Sequence, residues 1–285
     1  MTTYKDIRGT HIKTVTTDPP APVNGQMWYN STTRVMKGFT SNPTGAWATG
    51  GSLNTARAGL SSCGGTQDSA LVAGGEPFTA NTEEYNGTSW TEVANLNTAR
   101  RSNSTVGTNT EAALSFGGNT PPNTSVAINE SWNGSAWTEV ADLNAAGRAR
   151  VGSGTYTAAI ASGGGVPGGS NLRNAETRNG SAWTEVGDLN SGRGNQMGRA
   201  GTATSAIISG GNSPGTARMA NTEFWNGTSW TEINDLSVAR YGVSGQGGTS
   251  SAGIAYGGNN PSDTEIASTE EFTAADFQIK TVTTS

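Results

Sequence analysis

Carboxylates are the residues of this chain whose recurrence looks most like chemistry. Glu92, Glu139, Glu185 and Glu232 recur along it, and Asp142, Asp188 and Asp235 each follow a glutamate by three residues. Two carboxyl groups at one site can share general-acid and general-base work or open a glycosidic bond. Each pair here sits in a separate copy of a repeated segment, so the copies hold the pairs apart. They read as solvated residues of an outer strand. The remaining reactive inventory is thin: one histidine, His11, and one cysteine, Cys63. A single histidine builds neither a metal set nor a Ser-His-Asp or Cys-His arrangement, so no metal and no cofactor are expected. No Gly-x-Gly-x-x-Gly opens a helical pattern, which argues against phosphate cradling.

Arginine is the other chemical group with a pattern. Arg57, Arg100, Arg148, Arg193 and Arg240 follow a repeated leucine (Leu53, Leu96, Leu143, Leu189, Leu236) and read as caps for loop carbonyls. Arg101, Arg150, Arg173 and Arg218 stand outside that register. They are the candidate ligand-binding residues, because a guanidinium suits the carboxylate or phosphate groups of an acidic glycan.

The elements that position these groups are written in the repeat. Trp47, Trp90, Trp137, Trp183 and Trp230 are 43, 47, 46 and 47 residues apart, and Gly-Gly pairs (74–75, 117–118, 163–164, 210–211, 257–258) keep the same step. Self-similarity at this period signals an array of supersecondary units. Each unit reads as four strands: a small-residue strand after the arginine, an apolar strand ending in Gly-Gly, a third strand ending at Tyr85, Trp132, Arg178, Trp225 or Phe272, and a fourth carrying the tryptophan. Asn-Gly after the third strand predicts a two-residue type I′ hairpin in four units, and it also explains the glycosylation-like sequons at Asn86, Asn133, Asn179 and Asn226. The five tryptophans are the expected inter-sheet core, and the glycine pairs the places where backbones pack closely.

Arginine, Gly-Gly, aromatic and tryptophan in this order resemble the kelch repeat over residues 47–285, with the aromatic and the tryptophan one residue closer than in kelch. The resemblance implies an all-β fold, a five-bladed propeller with four antiparallel strands per blade. Either Trp47 or Phe277 supplies its closing strand, Trp47 matching better; a partial sixth blade is the alternative. IKTVTT, at 12–17 and 279–284, is expected to pair with its own copy beside the closure. The Gly-x-Ser-Trp stretches lack the aspartate of a sialidase box.

Residues 1–46 read as a separate β-meander after which the propeller begins, with DPPAP (18–22) as a linker. Trp28, Tyr29, Asn30, Val35, Met36, Lys37 and Phe39 resemble hairpin units of tailed-phage fibre and baseplate proteins. That resemblance implies a virion protein whose N-terminal extension contacts other virion proteins, with homo-oligomerisation open. The variable loops 76–83, 119–129, 165–174, 212–221 and 259–268 share one face with the unit-to-unit links, and host-surface glycan or receptor binding is expected there. The alternatives are a structural decoration or connector protein and a polysaccharide-degrading enzyme. A net charge of −5 gives no general reason for nucleic-acid binding, and no apolar run approaches the ~18 residues that a membrane span needs.

Overall fold

The computed structural model describes residues 13–20, 26–38, 49–66, 68–168, 170–195, 197–215 and 217–273. His11, Trp47, Phe277 and the second IKTVTT lie outside the described residues. The chain divides into two compact units, Met1–Thr49 and Gly50–Ser285. Every element named among the described residues is a strand.

In the first unit, Met27–Asn30 and Val35–Gly38 form an antiparallel hairpin, and Lys13–Val15 joins it in parallel beside Trp28–Asn30. The parallel strand corrects the expected meander, in which successive strands would all be antiparallel. It also gives Lys13–Val15, within the first copy of the hexapeptide, a local partner. Asp18, read above as linker, is instead the hub of this sheet. Its carboxylate accepts from the Trp28 indole at 2.9 Å and from Asn30 Nδ2 at 2.8 Å, and pairs with Lys37 Nζ at 2.6 Å. The Asn30 side-chain oxygen Oδ1 then accepts the amides of Thr32 and Thr33 and caps the turn. The tryptophan, asparagine and lysine of the hairpin are thus spaced to converge on one carboxylate.

Among the described residues the second unit contains five antiparallel sheets of three or four strands in chain order, and a two-stranded one, Asn119–Thr120 with Thr124–Ser125, in a loop of the second. The first holds Ser61–Thr66, Ser69–Ala73, Thr82–Tyr85 and Trp90–Val93. The second holds Ser104–Val106, Ala113–Phe116, Asn129–Trp132 and Trp137–Val140. The third holds Val151–Gly154, Ala159–Ser162, Ala175–Arg178 and Trp183–Val186. The fourth holds Gly198–Gly201, Ala206–Ser209, Thr222–Trp225 and Trp230–Ile233. The fifth has three described strands, Ser244–Thr249, Ala252–Tyr256 and Thr269–Thr273.

Packing between sheets follows one rule. In the second, third and fourth sheets the fourth-strand tryptophan enters the junction with the sheet before it. Trp137 packs with Cys63, Leu71, Ala73 and Leu96; Trp183 with Val106, Leu114, Phe116 and Leu143; Trp230 with Val151, Ile160 and Leu189. These three are 5–6% exposed, whereas Trp90 is half-buried. Burying an indole removes roughly 150–250 Å² from water, so these junctions are a main source of cohesion. Trp137 Nε1 also donates to Thr82 Oγ1 at 3.0 Å, tying the second sheet to the first.

The glycine pairs are joints between sheets. Gly74 and Gly75 have φ of 73° and 130°, and Gly75 N–H donates to the Arg100 carbonyl of the next link at 3.0 Å. A Cβ on Gly74 would lie 2.6 Å from that same carbonyl. The other joints repeat this: Gly118 donates to Gly147, Gly164 to Arg193 and Gly211 to Arg240. Direct docking of one backbone on another explains why both positions are glycine.

The Asn-Gly hairpins differ from expectation. Residues 86–89 form a four-residue loop between the facing pair Tyr85 and Trp90, and of its residues only Gly87 has positive φ. Asn86 Oδ1 accepts the amides of Thr88 and Ser89 at 3.0 Å, and Asn133, Asn179 and Asn226 act alike. The asparagine is used for its side-chain acceptor, an Asx turn, rather than for left-handed backbone.

Candidate functional site

Pairing between links and loops defines the face on which a site can form. Ala58 pairs with Glu76, Arg101 with Asn119, Arg148 with Gly165, Gly194 with Asn212 and Tyr241 with Asn259. Each unit-to-unit link therefore runs beside the loop between the second and third strands of its own sheet, on one face, as the alternation of strands predicts.

Behind that face lies a layer of buried ion pairs. Arg57 meets Glu83 at 3.1 Å, Arg100 meets Glu130 at 3.1 Å, Arg193 meets Glu223 at 2.6 Å, and Arg240 pairs with Glu270. Each arginine also donates to the carbonyl just before the third strand, Asn81, Ile128, Asn221 or Ser268. The glutamate's second oxygen takes the link amide and side chain of Asn54, Asn97 or Asn190. That asparagine donates again to the carbonyl of Trp90, Trp137 or Trp230. Each link is thus clamped to the third and fourth strands of the sheet it enters.

The third unit solves the same problem with a different residue. Arg150, not Arg148, lies against Glu176 at 3.6 Å, with both side chains fully enclosed. Gly147 stands where Arg100 and Arg193 stand in their units, and the Arg150 side chain fills its place. Asn144 keeps the clamp to Glu176. This corrects the reading of Arg148 as the repeat arginine, and it places Arg150, a ligand-binding candidate, inside the molecule at 4% exposure.

The other three candidates are separated along the loop face. Arg101 pairs with Glu76 and lies 4.6 Å over the Phe78 ring, stapling the second sheet's link to the first sheet's loop. Arg218 pairs with Asp263 of the fifth sheet's loop and lies 4.2 Å over Tyr241. Arg173 is exposed and donates from Nε to the Leu189 carbonyl at 2.7 Å. The four are not brought together.

Glu92, Glu139, Glu185 and Glu232 are exposed on the outer strands of separate sheets, whereas Asp142, Asp188 and Asp235 lie in the links just after those strands, which corrects their reading as outer-strand residues. Asp142 and Asp235 accept the amides that begin the third strands, Asn129 and Thr222, and Glu185 and Glu232 accept from Asn174 and Asn221. The structurally important glutamates are the ones the pattern reading passed over. Glu83, Glu130, Glu176, Glu223 and Glu270 recur every 46 or 47 residues, in phase with the tryptophans, and that phase was the available signal. Among the described residues no group of three or more His, Cys, Asp or Glu could hold a metal ion.

What the structure does bring together is a central cavity. The links and first strands of all five sheets line a space of about 280 Å³, through Leu60, Ser62, Asn103, Ser104, Arg150, Val151, Met197, Arg199 and Val243 among others, with Tyr256 from the fifth sheet's second strand. Arg199, in the first strand of the fourth sheet, crosses this space. Its Nη1 donates to Ser104 Oγ at 3.4 Å and its Nη2 to the Ser62 carbonyl at 3.5 Å, reaching the second and first sheets. Enclosure lowers the pKa of its guanidinium, opposed only by the Cys63 sulfur. Sequence reasoning missed this residue as a site. Its register position holds Ser62, Thr105, Gly152 and Gly245 in the other first strands, so a lone long cation there was a visible break in the repeat.

A second cavity of about 230 Å³ lies between the fourth and fifth sheets, lined by Ile207, Thr222, Leu236 and Ala255. It is the junction that corresponds to those filled by Trp137, Trp183 and Trp230.

Comparison with known proteins agrees with this arrangement. A solved structure titled "Structure of YjhT", a kelch-like propeller, superposes with a TM-score of 0.65 at 12% identity, over 78% of this chain and 83% of that one. The fold is a β-propeller. In all, 206 chains of solved structures match, so the likeness carries architecture and no particular activity. No family model matches the chain, and no curated protein matches it.

Proposed function

We propose that the second unit is a five-bladed propeller and that the protein is a non-catalytic binding protein of a phage virion, associated with the tail fibre or baseplate. It contacts a host-surface glycan or receptor through the face that carries the variable loops. The observation that supports this reading is the central cavity, framed by elements of all five sheets and adjoining the links that pair with those loops. Five radial units around one cavity also favour five blades over six. Arg101 and Arg218 stiffen the loop face from sheet to sheet, which lowers the ordering cost of binding. The virion assignment rests on the resemblance of the Trp28–Lys37 hairpin to phage fibre units.

The non-catalytic part of the proposal follows from the carboxylates. The exposed glutamates of the outer strands stand on separate sheets, the buried ones are each committed to an arginine, and no acid lines the central cavity among the described residues. Asp235, Glu270 and Glu271 border the smaller space between the fourth and fifth sheets, where Glu270 is paired with Arg240. A polysaccharide-degrading enzyme would require a converging acid–base pair.

The test is competition for adsorption. Purified full-length protein is added to candidate host cells before phage, and cell binding and phage adsorption are scored. The proposal expects binding and blocked adsorption, both lost when loops 119–129 and 165–174 are shortened. Binding that survives loop shortening would move the site off this face, and folded protein that binds none of the hosts would favour a connector within the particle. Release of reducing ends from host polysaccharide would overturn the non-catalytic assignment.

A further inference from the structure

The arginines enclosed in the second unit divide sharply by what neutralises them. Arg57, Arg100, Arg150, Arg193 and Arg240 each face a glutamate. Arg178 is spent on the turn carbonyls of Gly180 and Ser181. Arg199 has no carboxylate partner among the described residues, and its two hydrogen bonds, at 3.4 and 3.5 Å, are at the long limit for such contacts. A guanidinium carries five N–H donors in a planar fork, so most of its capacity is unused.

Among the described residues the central cavity around Arg199 is lined without an aspartate or glutamate, although the protein is acidic overall at −5; the carboxylates Asp235, Glu270 and Glu271 border the other cavity that Arg199 lines. The central cavity's other guanidinium, Arg150, is already neutralised by Glu176. Ser62, Ser102, Ser104 and Tyr256 are polar residues of this lining, Ser104 Oγ lying 3.4 Å from the fork, while Leu60, Val151, Met197 and Val243 supply apolar surface. At about 280 Å³ the space lies near the lower end of small-molecule sites, roughly 300–1,000 Å³, and admits one compact group rather than an extended chain.

We propose that this cavity is an anion site in which Arg199 binds the carboxylate of an acidic sugar residue. The fork takes the carboxylate in bidentate fashion. The serines and Tyr256 take sugar hydroxyls, and the apolar residues cover the ring. Arg199 is half-buried, so its guanidinium is partly withdrawn from water yet open to a ligand, and a carboxylate there is attracted more strongly than in bulk solvent. The inference deepens the binding-protein reading by naming the chemistry recognised at the centre of the face. It rests on that reading for its biological meaning and on Arg199 alone for its chemistry.

The experiment is calorimetric titration of the full-length protein with galacturonate, its methyl ester, galactose and inorganic phosphate. Galacturonate is expected to bind, and the ester and galactose at least tenfold more weakly. The ester keeps the shape and removes the charge without altering the protein. Arg199→Gln is expected to abolish galacturonate binding, Arg199→Lys to retain a weakened remnant, and Arg34→Gln, exposed in the first unit, to leave it unchanged. Equal affinity for acid and ester, or undiminished binding by a folded Arg199→Gln variant, would overturn the proposal. So would phosphate binding without galacturonate binding, which would mark a phosphate site instead. Galacturonate binding without cell attachment would leave this site standing and remove the host-binding reading; attachment without galacturonate binding would do the reverse.

Discussion

Gly147 and Arg150 are complementary: a Cβ added to Gly147 would lie 2.8 Å from Arg150 Nε. In the neighbouring units the arginine itself occupies the glycine's position, with Asn103 at the position of Arg150. The third unit reaches the same buried Arg–Glu pair from three residues further along the chain.

That exchange predicts a compensation. Arg150→Asn alone leaves Glu176 enclosed without its cation and should cost about 3–5 kcal/mol, the usual penalty for breaking a buried pair. Gly147→Arg in addition should recover most of it by rebuilding the Arg100 arrangement. Urea midpoints of the single and double variants measure this; a double variant no more stable than Arg150→Asn would show that the two solutions are not equivalent.

The junction tryptophans predict a graded pair of effects. Trp137→Ala removes an indole that is 5% exposed and should cost roughly 3–5 kcal/mol. Thr82→Val removes only the acceptor of the Trp137 indole N–H and should cost about 1–3 kcal/mol, since it leaves that donor buried and unpaired. Thermal unfolding of both variants checks the order, and an unchanged melting temperature for Trp137→Ala would remove the tryptophan from the core.

Asp18 predicts an acid transition confined to the first unit. Hydrogen bonding from Lys37, Asn30 and Trp28 lowers its pKa from 3.8 to about 2. A depressed carboxylate stabilises the fold above its unfolded pKa, and the contribution disappears as pH falls through the folded value. The Trp28 indole N–H resonance should therefore stay in place down to pH 4 and shift with a midpoint near 2. A midpoint near 3.8 would mean that the three donors do not hold the carboxylate. In Asp18→Asn the shift should vanish.

Cys63 should be inert while the protein is folded. Burial pushes its thiol up to about 12, with Arg199 acting weakly in the opposite direction. At pH 8 essentially no thiolate exists for reaction. A chromogenic disulfide reagent should label it only after unfolding, at the rate of global unfolding; fast labelling of native protein would place the thiol at an accessible surface.

The sequence alone determined the repeat, the strand order within each unit, the shared face of links and loops, and the glycine and tryptophan positions that join the sheets. All of these are local or periodic, and a strand's alternation or a glycine's required φ shows itself within a few residues. Tertiary structure decided partnership. Whether Arg148 or Arg150 meets Glu176 depends on which side chain the space over Gly147 admits, and periodicity does not encode that space. The convergence of Trp28, Asn30 and Lys37 on Asp18 depends on a parallel strand that no turn signal announces. Arg199 and the Ser62 carbonyl are 137 residues apart in the chain and meet only because the sheets face a common centre. The sequence shows a cation interrupting a column of small residues; only the assembled sheets show that it reaches into the central cavity with no carboxylate beside it among the described residues.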